Sequence, residues 1–143
     1  MTDICPCGST LDYDECCGAI IHGKKEAKTA EELMRSRYTA FVKVNVEYLM
    51  RTQYKAGRSS KEKNKIKRWA QSVQWLDLAI KSVIGGTEND ETGVVTFRAF
   101  YIENGQYENL YEESSFEKID GKWMYTNGID MNMENEEKLF DER

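Results

Sequence analysis

The chain of 143 residues has little of several residue types that mark particular kinds of protein. It has one histidine, His22, so a Ser–His or Cys–His catalytic pair is restricted to the neighbourhood of that residue. Its one glycine pair, Gly85-Gly86, stands alone, which excludes a glycine-rich phosphate loop. No apolar run approaches the roughly 18 residues that cross a membrane, and the first residues lack a basic and apolar leader pattern. We therefore expect a protein of the reducing cytoplasm without membrane contact.

The remaining composition is that of a folded domain. Hydrophobic residues make up 40% of the chain and charged residues 31%, which is ordinary for a soluble protein. A chain of this length buries one core, or one core with a small module that is held by something other than hydrophobic burial. One main domain is therefore predicted.

Charge is distributed unevenly along the chain. The net charge is -5, yet residues 51–81 carry nine basic and two acidic side chains, whereas residues 82–143 carry five basic and fifteen acidic ones. The basic stretch could follow the phosphates of RNA, for example ribosomal RNA, or could simply be a solvated helix face. The candidate basic patch consists of Arg58, Lys61, Lys63, Lys65, Lys67 and Arg68.

All four cysteines lie in one stretch of thirteen residues with the pattern C-x-C-x8-C-C. Cys5 and Cys7, and likewise Cys16 and Cys17, are too close in sequence for a relaxed disulfide, and longer bridges would not persist in a reducing compartment. Four thiolates suit a closed tetrahedral metal site of structural type. The sequence therefore predicts a site for zinc, with iron as the alternative metal; redox-active or merely buried thiols are the competing interpretation. His22 is either an alternative ligand or a linker residue.

Residues between the cysteines carry a resemblance to a known motif. Pro6 and Gly8 shape a tight knuckle, and Ser9 caps the next turn or contacts a ligand. The run CPCGS, then Tyr13, then CCG resembles the SEC-C motif, a small metal-binding module found at the C-terminus of the SecA translocase and in accessory proteins. Acidic residues stand around Tyr13 where the translocase copies usually carry lysines, so a partner contact through such lysines is not implied here.

Helices are predicted after the cysteines, and strands after the helices. Thr29-Ala-Glu-Glu32 is a capping box that opens a helix over 30–43. A short helix is expected over 46–52, and Ser59-Ser-Lys-Glu62 opens a basic helix through Ala70. Alternating apolar residues predict strands over 75–83, 94–102, 107–119 and 122–127, with a type I′ turn at Asp120-Gly121. The fold class is α+β, with helices packed on one face of a curved four-stranded antiparallel sheet.

This second region resembles the YchJ family, whose members join an N-terminal SEC-C motif to a domain similar to nuclear transport factor two. The residues that carry the resemblance are Leu33-Met-Arg-Ser-Arg-Tyr38, Tyr48-Leu49, Thr52, Trp75-Leu76, Val95-x-Phe97, Glu112-x-Ser114-x-Phe116, and Gly121-x-Trp123-x-Tyr125 with Gly128. The resemblance implies a cone-like domain with a small metal knuckle. It divides the chain into a SEC-C-like motif with its linker (1–28), the α+β domain (29–130) and an acidic tail (131–143).

Two functions follow as expectations. The SEC-C resemblance and the uneven charge favour binding of a protein or ribosomal partner. Cones of this type often dimerise through the sheet, so the resemblance is also compatible with a homodimer. The rival is a small-molecule-binding protein or enzyme that uses a pocket in the cone. Its candidate polar residues are Arg35, Arg37, Tyr38, Glu112, Ser114 and Tyr125.

Either of the two arginines, if buried, could instead pair with Glu112 to hold helix to sheet. The aromatic residues of the helices and strands, Phe41, Trp75, Phe97, Phe116 and Trp123, are interpreted as core, with ligand stacking as the alternative.

Overall fold

The computed structural model describes residues 3–54 and 60–132. Its helices, after a 3-10 turn at Tyr13–Glu15, are α1 (Cys17–Ile21), α2 (Ala30–Val42), α3 (Val46–Arg51) and α4 (Ser60–Ser72). Its strands are β1 (Gln74–Gly85), β2 (Thr92–Glu103), β3 (Gln106–Ile119) and β4 (Lys122–Asp130). They form one antiparallel sheet in the order β1-β2-β3-β4. The predicted α+β class is confirmed. Across the described ranges, no helix combines the length and apolarity needed to cross a bilayer.

Local signals set the helix starts. Thr29 Oγ1 accepts a hydrogen bond of 3.1 Å from the backbone N–H of Glu32, so the predicted cap of α2 is present. Asn45 Oδ1 caps α3 in the same way through the N–H of Tyr48. Ser59, the predicted cap of α4, and Arg58 of the basic patch lie outside the described residues, as do residues 133–143 of the predicted tail. The 3-10 turn and α1 are short elements that sequence periodicity did not predict.

Two tight turns make β2, β3 and β4 into a meander. Asp120 and Gly121 both have positive φ (53° and 79°), as the predicted type I′ turn requires. Asn104 and Gly105 have the same conformation, with φ of 53° and 78°, between β2 and β3. Strand β4 continues to Asp130, three residues beyond its predicted end.

Register shifts bend the sheet around the helices. They occur in β1 between Trp75 and Asp77 and again between Ile80 and Ser82, and in the β3–β4 pairing between Ser115 and Phe116. Such irregularities bend a strand and increase its twist. The concave face so formed receives the helices.

The core lies between α2, α3 and that face. Its buried members from helix and strand include Leu33, Met34, Tyr38, Tyr48, Leu49, Val95, Phe97, Phe116 and Trp123. Burying one large apolar side chain contributes about 1.5–3 kcal/mol. Trp123 also donates from Nε1 to the carbonyl of Lys28 at 3.1 Å, which fixes the chain before α2. Phe97, Phe116 and Trp123 are core residues as predicted, whereas Phe41 and Trp75 are only partly buried.

Several apolar side chains of the sheet remain exposed to solvent. They are Leu76, Val83, Ile84, Tyr107 and Ile129. Dimerisation through the sheet stays a prediction.

Candidate functional site

The four cysteine sulfurs lie together in one cluster. Every pair of Sγ atoms is within 4.8 Å, with Cys7 and Cys16 3.7 Å apart and Cys16 and Cys17 4.0 Å apart. A tetrahedral zinc site with bonds of about 2.3 Å has sulfurs about 3.8 Å from one another. The four thiols are free, and three of them are buried. Their arrangement is therefore compatible with one metal ion bound by all four.

A small hairpin brings the cysteines together. Ile4 bridges to Asp12, and the N–H of Cys5 donates to the carbonyl of Leu11 at 2.8 Å. Ser9 Oγ lies 3.1 Å from Cys16 Sγ and accepts from the N–H of Leu11, so it contacts a candidate ligand. We call residues 3–22 the knuckle.

The thiols influence one another's protonation. Hydrogen bonds from the thiols of Cys17 and Cys5 hold the pKa of Cys7 far below its usual range. Donation to Cys5 and Cys7, together with burial, raises the pKa of Cys17, and burial raises that of Cys16. Four thiolates in this space require a positive ion to offset their repulsion.

Arg35 fixes the knuckle to α2. Its Nη1 donates to the carbonyl of Cys7 at 2.6 Å, and its Nε donates to Glu31 Oε2 at 2.9 Å. Cys5 Sγ also lies 3.8 Å from Thr39 Oγ1 of the same helix. Arg35, a candidate pocket residue in the sequence, points toward the knuckle and is not among the residues that line the cavity described below.

Tyr13 and Gly18 pack tightly beneath the hairpin. A Cβ at Gly18 would lie 2.7 Å from the carbonyl oxygen of Tyr13 and 2.8 Å from its ring, so only glycine fits there. Tyr13 Oη is 3.4 Å from His22 Nε2, and Lys43 Nζ lies over the Tyr13 ring at 4.6 Å. His22 thus contacts a tyrosine and is not a member of the sulfur cluster.

The knuckle exposes two apolar side chains. Ile4 is 62% exposed and Leu11 is 52% exposed, one on each arm of the hairpin. From residue 3 to residue 22 the chain has four acidic residues and no lysine or arginine. This part of the surface is consequently both apolar and acidic.

A cavity of about 290 Å³ lies between the sheet and the helices. Five of the six predicted pocket residues line it: Arg37, Tyr38, Glu112, Ser114 and Tyr125. The other lining residues are Met34, Phe41, Gln53, Ile66, Trp69, Trp75, Phe97, Ala99, Leu110 and Phe116. The sequence analysis did not identify Trp69 and Gln53 as cavity residues. Trp69 follows the basic stretch, and its spacing of three residues from Ile66, which places both on one helix face, was the available signal.

The polar end of the cavity centres on Glu112. Its Oε2 accepts from Ser114 Oγ at 2.5 Å and from Tyr125 Oη at 3.4 Å. Burial raises the pKa of Glu112 above its usual range, while Ser114, Arg37 and Tyr125 counteract that shift. A Cβ at Gly128 would overlap Tyr125 Oη and Glu112 Oε2, so glycine leaves room for this group.

Arg37 does not form the ion pair with Glu112 that was considered as an alternative. Its Nη1 donates to the carbonyl of Leu49 at 2.9 Å and to Thr52 Oγ1 at 2.6 Å, and its guanidinium lies 4.5 Å from the centre of the Tyr125 ring. Burial lowers the pKa of Arg37 to about 10, so it stays a cation at neutral pH. In the part of the chain that the structure describes, no nitrogen of Arg37 comes within 4.0 Å of a Glu112 oxygen.

The basic patch lies on α4, away from the cysteines in sequence. Lys61, Lys65, Lys67 and Arg68 are exposed, while Lys63 is half-buried and pairs with Glu47 of α3. The opposite face of α4 packs inward, where Ile66 and Trp69 reach the cavity. The patch is thus a charged outer face on a helix whose inner face lines the cavity.

The fold and the cluster define the class of this protein: an α+β domain of the nuclear transport factor 2-like type that carries a cysteine knuckle suited to a metal. Residues 29–128 match the family model of the YchJ middle NTF2-like domain, and residues 1–19 match the SEC-C motif. The chain belongs to the YchJ family, as its sequence motifs implied.

Relatives of known sequence and structure agree with this assignment. A UPF0225 protein of Geobacter sulfurreducens is 38% identical over 90% of this chain and 80% of its own length. The UPF0225 protein YchJ of Shigella dysenteriae is 34% identical over 90% of this chain and 84% of its own. The solution structure of a SEC-C motif containing protein from Rhodopseudomonas palustris is similar with a TM-score of 0.78 and 28% identity, covering 92% of this chain and 99% of that one.

Proposed function

We propose that this protein binds one zinc ion at Cys5, Cys7, Cys16 and Cys17, and that the knuckle folded around the metal binds a protein partner. The observation that carries the proposal is the convergence of all four sulfurs within 4.8 Å beneath a hairpin that exposes Ile4 and Leu11. Iron is the alternative metal, because a four-thiolate site accepts either ion.

The metal would make the knuckle a stable module. A segment of about twenty residues cannot bury enough apolar surface to fold alone, and metal-binding free energy becomes folding free energy in such units. Four thiolates and one divalent cation form a closed shell with no position left for a reacting water. The metal therefore has a structural role in this proposal, and the knuckle binds its partner through its outer surface.

The outer surface of the knuckle favours a basic protein segment. Ile4 and Leu11 offer apolar contact area, and Asp3, Asp12 and Asp14, which are close to them in sequence, add negative charge. Opposite charge steers association and selects the partner, while apolar side chains supply burial. A ribosomal protein, a nascent chain, a chaperone or a secretion component with a basic segment and an apolar anchor would match this chemistry.

RNA contact through α4 is a second candidate. RNA phosphates could be neutralised by the exposed cations of α4, which are Lys61, Lys65, Lys67 and Arg68. The acidic knuckle would instead repel RNA. The two candidates make different demands, because RNA binding through α4 needs no metal. Salt would weaken it steeply, and charge reversal of Lys61 and Lys65 would remove it.

Native mass spectrometry tests the metal. Protein purified without chelator or air is expected to carry one zinc or iron ion per chain, and Cys16→Ser is expected to carry none. A metal-free mass reduced by the hydrogens of two disulfides would contradict the proposal.

Cross-linked capture tests the surface. A double variant, Ile4→Ser with Leu11→Ser, removes both apolar contacts and leaves the four thiols in place. Leu76→Ser with Ile84→Ser is the matched control, since these side chains are exposed on the sheet. The proposal expects one set of basic proteins that is lost with the knuckle variant and with Cys16→Ser but retained by the control. Equal recovery by all four proteins would overturn it.

A further inference from the structure

The internal cavity has an aromatic end that no function assigned so far uses. Trp69 and Trp75 meet edge to face with ring centres 5.1 Å apart, and Phe41 contacts both at 5.9 and 5.8 Å. Tyr38 adds its edge to Trp75 at 5.9 Å. These rings give the cavity flat apolar walls of the kind that hold planar ligands.

The opposite end holds two charges that do not touch, a buried guanidinium and a half-buried carboxylate. Arg37 and Glu112 both line the cavity, yet no nitrogen–oxygen distance between them is within 4.0 Å in the described part of the chain. They are also the only charged residues among the described lining residues. Opposite charges held apart in a largely enclosed cavity are less favourable than charges that a group between them bridges.

Each charge keeps hydrogen-bonding atoms directed at no protein group. All hydrogen bonds of Glu112 fall on Oε2, and those of Arg37 fall on Nη1, so Oε1 of Glu112 and both Nε and Nη2 of Arg37 have no partner among the described residues. All three atoms remain accessible, since Trp75 Nε1 is the one side-chain nitrogen or oxygen of those residues that is both fully buried and without a hydrogen bond. The polar end thus offers a ligand both a hydrogen-bond acceptor and hydrogen-bond donors.

We propose that the cavity binds an uncharged, flat aromatic molecule whose edge carries an adjacent N–H and C=O, as in an aromatic carboxamide or lactam. The N–H donates to Oε1 of Glu112, and the C=O accepts from the guanidinium of Arg37. The ring system packs against the surface that Trp69, Trp75 and Phe41 form together. One such group bridges the two charges and satisfies both of them.

Charge balance selects the uncharged ligand. Arg37 and Glu112 together bring no net charge into the cavity. A carboxylate or ammonium ligand would bring a third charge into the cavity without a partner, which is unfavourable. The site is separate from the knuckle, so it does not depend on the proposed metal or protein partner.

Three probes of the same shape test the proposal by NMR: 2-naphthamide, 2-naphthoate and 2-naphthylmethylammonium. The indole N–H signals of Trp69 and Trp75 report on the cavity, and that of Trp123, which lines no part of it, is the internal control. We expect naphthamide to shift the first two signals and to bind at least tenfold more tightly than either charged analogue. Tighter binding of a charged analogue would overturn the proposal.

Glu112→Gln tests the bridging contact. In this variant Ser114 and Tyr125 keep the amide oxygen at the Oε2 position. The –NH₂ group then takes the Oε1 position, where the native carboxylate would accept from the ligand and an amide nitrogen cannot. Naphthamide binding should weaken at least tenfold, while Glu117→Gln, at an exposed position of β3, leaves it unchanged. Ala99→Leu narrows the cavity from the β2 side and should abolish binding even if the glutamine variant folds poorly. A cavity that takes up water only would show no saturable shift with any probe, and that result would also exclude the proposal.

Discussion

Arg35 donates a hydrogen bond of 2.6 Å to the backbone carbonyl of Cys7, twenty-eight residues away in sequence. The bond joins the start of the cysteine knuckle to the second turn of α2. The backbone carbonyl of a candidate metal ligand is therefore held by a helix of the main domain. The two parts of the chain meet through this contact and through Cys5, whose sulfur faces Thr39 of the same helix.

Removing the Arg35 side chain should loosen the knuckle. A hydrogen bond from a charged donor contributes about 1.5–3 kcal/mol, so Arg35→Ala should lower the free energy of unfolding by that amount. It should also speed metal loss to a chelator, because the carbonyl of Cys7 is no longer held. Urea unfolding and chelator kinetics measure both effects. Lys61→Ala, on the exposed face of α4, is the control and should change neither; an unchanged rate of metal loss in Arg35→Ala would show that the knuckle holds its own shape.

Metal removal should destabilise the whole protein. The knuckle cysteines Cys5, Cys7 and Cys17 are part of the same buried cluster as the core residues of α2, so an unfolded knuckle exposes that core. A ligand present at a thousandfold excess over its Kd stabilises a protein by about 4 kcal/mol. We expect chelation, or Cys7→Ser, to lower the midpoint of thermal unfolding by several degrees.

His22→Ala is the matched control for the metal site. It lies in the same segment and contacts Tyr13, but it is outside the sulfur cluster. Elemental analysis should find the full metal content in this variant. Loss of metal from His22→Ala would mean that histidine replaces one of the cysteines as a ligand.

A methyl group at Gly128 should disturb the polar end of the cavity. It would overlap Tyr125 Oη and Glu112 Oε2, and overpacking of this kind costs about 1–3 kcal/mol. The amide signals of Ser114 and Tyr125 should shift, and naphthamide should bind more weakly. Gly105→Ala is the control, because Gly105 has positive φ but no atom lies within 4 Å of the added methyl group. This variant should lose only the stability that a non-glycine residue forfeits at positive φ, and its cavity signals should stay unchanged.

Glu112 should make stability depend on pH with a defined sign. Burial raises its pKa, so the folded protein holds this proton more tightly than the unfolded chain. Its contribution to the free energy of unfolding is then complete below the carboxyl pKa of the unfolded chain and falls as pH rises through the folded value, by about 1.4 kcal/mol per unit of pKa difference. The difference in stability between wild type and Glu112→Gln should decrease from acidic to neutral pH in urea titrations. A difference that increases with pH would mean that the carboxylate is stabilised in the fold.

Much of the fold could be read from the sequence because its signals are local. The capping box at Thr29, the turn residues Asp120-Gly121 and the alternation along the strands each act within a few residues. The four cysteines were predictable as a cluster for the same reason, since thirteen residues contain them all. Thiol chemistry then limits the function of such a cluster to metal binding, redox chemistry or simple burial.

Side-chain direction at the site was decided by tertiary structure. Arg35 and Arg37 are two positions apart on α2, so at 100° per residue they point to nearly opposite sides of the helix. Sequence identifies both as candidate pocket residues, yet one meets the knuckle and the other the cavity. Which is which depends on where the knuckle packs against α2, a contact between distant parts of the chain.

Packing between distant elements also decides where Trp69 lies and why Arg37 and Glu112 do not form an ion pair. Trp69 belongs to a basic helix in sequence and reaches the cavity only because α4 packs its inner face against the domain. Arg37 and Glu112 are chemically suited to pair, but bonds to Leu49 and Thr52 hold the arginine, and Ser114 and Tyr125 hold the carboxylate. The sequence by itself thus determined the three longer helices, the strands, the turns and the thiol cluster, whose causes are local. Packing between distant elements decided which polar atoms stay open to a ligand.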